Sequence, residues 1–422
     1  MTVQVCIACG RESREDDLAT RCPCGGLLEL RHDPPRERGS ALRSRFDSRL
    51  SIPAAPTAPS SPSSGVWRFA ELVLPGAAAV AVSHPEGNTP LLFRPAIADW
   101  AGVQGLSLKH EGHNPTGSFK DRGMTVAVTQ ARRIGAHTLV CASTGNTSAS
   151  LAAYAAQAGL ASVVLVPAGK IALGKLAQAV GFGARVIAVR GDFDACLELV
   201  EAAAEQLGLY LANSVNPFRV EGQKTIVFDL LQQRGWRSPD WIVLPGGNLG
   251  NTAAFGKALE EALAYGLIDR LPRLGVVQAD GAAPFARGFA EGFRGRIQVH
   301  AETVASAIRI GNPASWERAV RAIRSTDGVV LSVSDAEILA AKAVIDRAGV
   351  GCEPASAAAV AGVRKLAASG TLSAGSDVVA VLTGHMLKDP EMQLDAATRG
   401  GPGIREIDPT VAALAGAIAA RG

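Results

Sequence analysis

The stretch His113-Asn114-Pro115-Thr116-Gly117-Ser118-Phe119-Lys120-Asp121-Arg122-Gly123-Met124 decides how this chain is read. Asn-Pro opens a turn, Thr-Gly-Ser makes a neck of small residues, and a helical pattern begins beyond it. Lys120 stands beside that neck, where a planar ligand could approach the backbone. An ammonium drawn out of bulk water has a lowered pKa and becomes nucleophilic, which makes Lys120 a candidate for imine chemistry. A solvated lysine at a helix start is the plainer alternative, and other loops of the chain decide between the two.

Outward from this stretch, strand-like and helix-like segments alternate. Short apolar runs at 138–141, 162–166, 185–189, 241–244, 275–278 and 378–381 are separated by alanine-rich stretches such as 148–157 and 194–206. This pattern predicts an α/β fold with parallel sheets covered by helices on both faces. Ligands in such folds lie at the carboxyl ends of the strands.

Three loops occupy those ends. Ser143-Thr144-Gly145-Asn146-Thr147 offers hydroxyls and backbone amides at a helix start, suited to an anion such as a carboxylate. Pro245-Gly246-Gly247-Asn248-Leu249-Gly250-Asn251-Thr252 lets backbone N–H groups converge on phosphate oxygens. It is neither a Walker loop nor a GxGxxG turn. Leu382-Thr383-Gly384-His385 puts a neutral hydroxyl at the cleft floor. Gly181-Phe182-Gly183 precedes a strand and is no dinucleotide turn, and nothing resembles a Ser/His/Asp order or an HExxH site. His385 reads as a packing or capping residue.

At 422 residues the chain has room for two compact domains and an appendage. With 47% hydrophobic and 19% charged residues and a net charge of +3, it gives no reason to expect nucleic acid or an acidic membrane as partner. No signal-like start and no apolar run of membrane-span length is present, so a cytoplasmic location is expected. Cys141, Cys196 and Cys352 read as core residues. Cys6, Cys9, Cys22 and Cys24 form a CxxC and a CxC pair, suited to a structural zinc that holds together a ribbon-like module over residues 1–30. Arg11, Arg14 and Arg21 in that module are offset by Glu12, Glu15, Asp16 and Asp17, which argues against a nucleic-acid surface. Residues 31–65 read as a flexible Pro/Ser-rich linker, and Trp67 and Phe69 mark the return of packed sequence.

Taken together, the segment from Asn114 to Gly123, the three loops, Gly87-Asn88-Thr89-Pro90 and Asn213-Ser214-Val215-Asn216-Pro217-Phe218-Arg219 resemble the threonine synthase family. These are pyridoxal-phosphate enzymes of the tryptophan-synthase β-subunit fold, fold type II. The resemblance spans roughly residues 66–390. It implies a large domain over 66–124 and 216–400, a small domain over 125–215, a tail over 401–422 and a homodimer.

By the same resemblance Lys120 is the Schiff-base lysine and mobile base. Asn146 meets the phenolic oxygen of the pyridoxal ring, and Thr383 meets its pyridine nitrogen. Gly247, Asn248, Leu249, Gly250 and Asn251 cradle the cofactor phosphate. Ser143, Thr144 and Thr147 grip the substrate carboxylate. Asn213, Ser214 and Arg219 hold the γ-phosphate of O-phospho-L-homoserine, which is converted to threonine; a guanidinium suits that task because its N–H groups match phosphate oxygens in pairs. Asp280, Met386 and His113 depart from the family pattern and leave the substrate open. A serine/threonine dehydratase has no phosphate to hold, whereas a phosphoserine-using synthase needs the same grip one methylene closer. A non-catalytic homologue is disfavoured by the intact lysine and loops.

Overall fold

The computed structural model describes residues 1–51, 64–169, 173–390 and 406–419. The chain begins with a three-stranded antiparallel ribbon of β1 (Thr2–Cys6), β2 (Glu12–Arg14) and β3 (Leu28–His32), with β1 in the middle. Its turn needs glycine at Gly26, because an added Cβ would lie 2.7 Å from the Cys6 sulfur and 2.8 Å from the Ala8 Cβ.

Two sheets follow. β4 (Leu91–Phe93) and β5 (Gly105–His110) belong to the larger one. β6 (Thr138–Ala142), β7 (Ala161–Pro167), β8 (Arg185–Val189) and β9 (Tyr210–Leu211) form a four-stranded parallel sheet in the order β8-β7-β6-β9. The chain then returns through β10 (Trp241–Pro245), β11 (Arg273–Ala279), β12 (Val329–Val333) and β13 (Asp377–Leu382). The six-stranded order is β12-β11-β10-β13-β5-β4, parallel except for β4. The apolar runs read from the sequence are thus the parallel strands β6, β7, β8, β10, β11 and β13. β5 and β12 were not among them, because polar residues interrupt their apolar pattern.

The expected linker is ordered over part of its length. Residues Gly39–Ser48 form a helix that buries Leu42 and Phe46, one turn apart on a single face. Phe46 packs edge-on against Phe69 at 5.1 Å and lies 6.1 Å from Trp236. The Pro/Ser-rich stretch at 52–63 lies outside the described residues. The expected boundary after Met124 also falls inside an element, because one helix runs unbroken over Lys120–Arg133. That helix packs along the helix Pro217–Gln233, and Gly222 permits the approach, since a Cβ there would lie 1.8 Å from the Arg122 carbonyl oxygen. No helix among the described residues is long and apolar enough to cross a membrane.

Candidate active site

Lys120 begins its helix directly after the Asn-Pro-Thr-Gly-Ser neck. The neck is laced to the end of β13: Phe119 N donates to Thr383 O (3.1 Å), and His385 N to Gly117 O (2.9 Å). Asp121 secures its other side by accepting from Thr116 N (2.7 Å), Thr116 Oγ1 (2.6 Å) and Ser150 Oγ (2.6 Å). Lys120 Nζ lies over the Phe119 ring, 4.1 Å from its centroid. Burial and the charge of Arg219 bring the lysine down to about 7, against the opposing pull of Glu353. A lysine titrating near neutrality can act both as nucleophile and as base.

The three loops occupy strand ends as expected. After β6, Ser143, Thr144, Asn146 and Thr147 are half-buried. The helix Asn146–Ala158 makes its first hydrogen bond from Ala149 N to Gly145 O (3.3 Å), so earlier N–H groups have no partner within the helix. After β10, Leu249 adopts φ +62° and the helix Gly250–Ala264 starts, its first bond running from Ala253 N to Leu249 O (3.0 Å). Asn251 Oδ1 and Thr252 Oγ1 are buried there without a hydrogen-bond partner. Asn248 ties the loop to its surroundings, donating to Ser214 Oγ (3.0 Å) and accepting from Ala314 N (2.9 Å).

Arg219 is 1% exposed, and only its Nη1 is engaged, by Ala212 O at 3.2 Å. Its Nε and Nη2 are buried without partners. Burial lowers this guanidinium to about 10. A buried cation with bare donors marks a place prepared for an anion. Asn213 has a different setting: its Oδ1 accepts from Ala142 N (3.0 Å), and its Nδ2 donates to Ala142 O (3.1 Å). It extends the pairing of β6 beyond β9 and anchors the loop.

Thr383 is buried, bonded to Ser356 Oγ at 2.9 Å and donating to Glu353 Oε1 at 3.4 Å. Asn146 Nδ2 donates to Glu353 Oε2 at 3.0 Å. Sequence reasoning missed Glu353 and Ser356, since Glu-Pro-Ala-Ser reads as an ordinary helix start. His385 caps the short turn Met386–Lys388, accepting from Leu387 N at 3.2 Å, as its position suggested. Asp280 and His113 are exposed, and Met386 is half-buried.

Outside the cleft, the sulfurs of Cys6, Cys9, Cys22 and Cys24 all lie within 4.8 Å of one another. Three of their separations are 3.5, 3.6 and 3.5 Å. A disulfide needs about 2.05 Å, whereas tetrahedral zinc with bonds of about 2.3 Å spaces its sulfurs by roughly 3.8 Å. The donor set therefore fits a metal and not a bridge. The backbone N–H of Cys9 lowers the Cys6 thiol to about 6, whereas Cys24, despite the Gly26 N–H, is pushed up to about 12 by Cys6, Cys9 and Cys22.

The pyridoxal-phosphate dependent enzyme family matches residues 82–384. The chain is 43% identical to a threonine synthase of Methanocaldococcus jannaschii, covering 94% of this chain and 95% of the relative. It is 45% identical to that of Methanosarcina acetivorans, covering 92% and 93%. Among solved structures, threonine synthase from Escherichia coli superposes with a TM-score of 0.70 at 20% identity, covering 99% of this chain and 94% of that one. Maize serine racemase reaches 0.64 at 19% identity, covering 79% and 96%, which shows the shared fold alone.

Proposed function

The chain belongs to the pyridoxal-phosphate-dependent enzymes and, within them, to the threonine synthase family; from that premise we propose that the cleft around Lys120 converts O-phospho-L-homoserine and water to L-threonine and inorganic phosphate. The observation that carries the substrate is Arg219, whose bare buried Nε and Nη2 suit a phosphate leaving group. Ser214, held by Asn248, adds a hydroxyl beside it. Asn213 anchors the loop that carries Ser214.

The residues present suit pyridoxal phosphate. The helix start at Gly250, with the partnerless Thr252 hydroxyl and the Gly247, Asn248, Leu249 and Asn251 backbone, offers a seat for the cofactor's phosphate. Asn146 would meet the ring's phenolic oxygen and Thr383 its pyridine nitrogen, and Lys120, brought down to about 7 chiefly by burial, would carry the cofactor. When bound, the cofactor supplies a conjugated sink for the electrons released at the substrate's carbons. Ser143, Thr144 and Thr147 hold the substrate carboxylate at a helix N-terminus. Lys120 Nζ would take protons from Cα and Cβ and return protons to Cγ and Cα, Arg219 would hold the phosphate as it leaves Cγ, and water would add at Cβ, so that Cγ ends as the methyl group. Thr383, a neutral hydroxyl, leaves proton placement to Lys120.

We propose further that the four cysteines hold one structural zinc, and that the enzyme works in the cytoplasm as a homodimer. The deciding assay measures phosphate release and threonine formation from O-phospho-L-homoserine against O-phospho-L-serine. The expected result is at least tenfold higher kcat/KM for phosphohomoserine, corresponding to about 1.4 kcal/mol of discrimination; preference for phosphoserine would overturn the reading.

A further inference from the structure

Glu353 is a buried carboxyl to which the proposed reaction gives no task. It precedes the helix Pro354–Ala368 and is 4% exposed, yet its side chain caps none of that helix's N–H groups. An acid at a helix start is ordinarily drawn to those groups; this one is turned to the cleft. Asn146 donates to Oε2 at 3.0 Å from the small-sheet side, and Thr383 donates to Oε1 at 3.4 Å from the end of β13. Backbone bonds fix its place, with Glu353 N donating to Gly384 O at 3.1 Å and Gly384 N to Ser356 Oγ at 2.9 Å. Gly384 makes room for the carboxyl: a Cβ there would lie 2.5 Å from both the Glu353 carboxyl carbon and Oε1. The charged groups that face Glu353 are Lys388, Lys120 and Asp389, and Lys120 in turn faces Arg219.

We propose that Glu353 is a positioning residue of the reaction, fixing the Asn146 amide and the Thr383 hydroxyl at the two polar edges of the bound ring and serving as counter-charge to the proton that Lys120 carries. This rests on the functional reading above. Asn146 Nδ2 has two hydrogens; one is committed to Glu353, which directs the other toward the ring oxygen. Burial raises the Glu353 carboxyl above its ordinary value, and its charge in turn raises Lys120 against the lowering by burial and by Arg219.

The test reads the pH midpoint of the bound cofactor's absorbance band in the holoenzyme, for the wild type, Glu353→Gln, Glu353→Asp and Gly384→Ala. Loss of a nearby opposite charge lowers a cationic group's pKa by about one unit or more, so Glu353→Gln should bring the midpoint down by about one pH unit. Glu353→Asp keeps the charge and should restore at least half of that shift. Gly384→Ala displaces the carboxyl without deleting it, and should move the midpoint in the same direction as Glu353→Gln. The kcat–pH profile should follow the band, while KM for phosphohomoserine changes less than about threefold, since the carboxylate and phosphate grips are untouched. An unchanged midpoint in cofactor-loaded Glu353→Gln and Gly384→Ala overturns the proposal, and if Glu353→Gln does not fold, Gly384→Ala decides alone. A wild type that shows the band but releases no phosphate from phosphohomoserine sinks the substrate reading and leaves the Glu353 measurement to stand or fall by itself.

Discussion

Lys120 is held near neutrality by its surroundings, at a cost that the cofactor-free protein should reveal. A lysine titrating at about 7 in the folded chain and at 10.5 when unfolded binds fewer protons folded than unfolded between those values. Stability must therefore rise as pH climbs through that window, and below it the buried charge works against folding. Cofactor-free Lys120→Met should accordingly melt above the cofactor-free wild type at pH 6, with the gap narrowing toward pH 10, as followed by calorimetry. Arg219 makes a second prediction. Arg219→Lys keeps the charge but loses the paired donors, and a charge-assisted hydrogen bond contributes about 1.5–3 kcal/mol. Steady-state kinetics should show kcat/KM for phosphohomoserine falling by about 10- to 100-fold, with the cofactor band intact. Lys120 stands out in the sequence because small residues frame it, and Arg219 because the family resemblance implies a phosphate for it to hold. Asn213 shows the limit, since sequence could not tell an amide that binds a ligand from one that completes a strand, and Glu353 was hidden by a helix start that needs no explanation.

The lysine's helix is held in place by buried charge. Arg122 donates to Glu111 Oε2 through Nε (2.6 Å) and to Asp229 Oδ2 through Nη2 (2.6 Å). Asp229 also accepts from Lys109 Nζ (2.9 Å) and from Arg68 Nη2 (2.6 Å). Burial raises the Asp229 carboxyl, but Lys109, Arg122 and Arg68 outweigh it and hold the group well below the usual carboxylate range. Asp229→Asn would leave Lys109 and Arg122 with Glu111 as counter-charge and Arg68 with Asp47. Breaking such a cluster from one side costs about 3–5 kcal/mol, to be read as a lower urea midpoint at unchanged slope. The same cluster explains why β5 escaped a reading by apolar runs. Gly105-Leu106-Ser107-Leu108-Lys109-His110 alternates and ends in basic residues, and the buried Lys109 is met by Asp229 and Gln233, distant in sequence, and by the Thr89 carbonyl. Runs such as Trp241–Pro245, buried at every position, needed no such partner and were plain.

At the scale of the whole molecule, the cysteine ribbon does not stand apart from the enzyme. Leu27 packs with Val140, Ala142, Leu165, Leu211 and Val215, under the sheet that carries the Ser143 loop. Leu30 joins the main core, and Lys257 donates to its carbonyl at 2.5 Å. His32 Nε2 meets Glu221 Oε2 at 3.1 Å, on the helix that also carries Arg219. The cysteine spacing marks the ribbon in the sequence as a candidate metal site, but its docking depends on single leucines and on partners more than a hundred residues away, which no local pattern announces. A ribbon anchored in both the small-sheet core and the main core should couple metal content to the stability of the whole chain. Loss of the proposed zinc would free a turn with almost no core of its own, and exposing Leu27 and Leu30 would forfeit about 1.5–3 kcal/mol each. Metal analysis should therefore find about one zinc per chain. The double variant Cys6→Ser/Cys9→Ser should lose that zinc and unfold at a lower temperature in the main transition, not merely lose a small separate one. A main transition unmoved by loss of the zinc would show that the ribbon is only an appendage, and that the contacts of Leu27 and Leu30 persist without the metal.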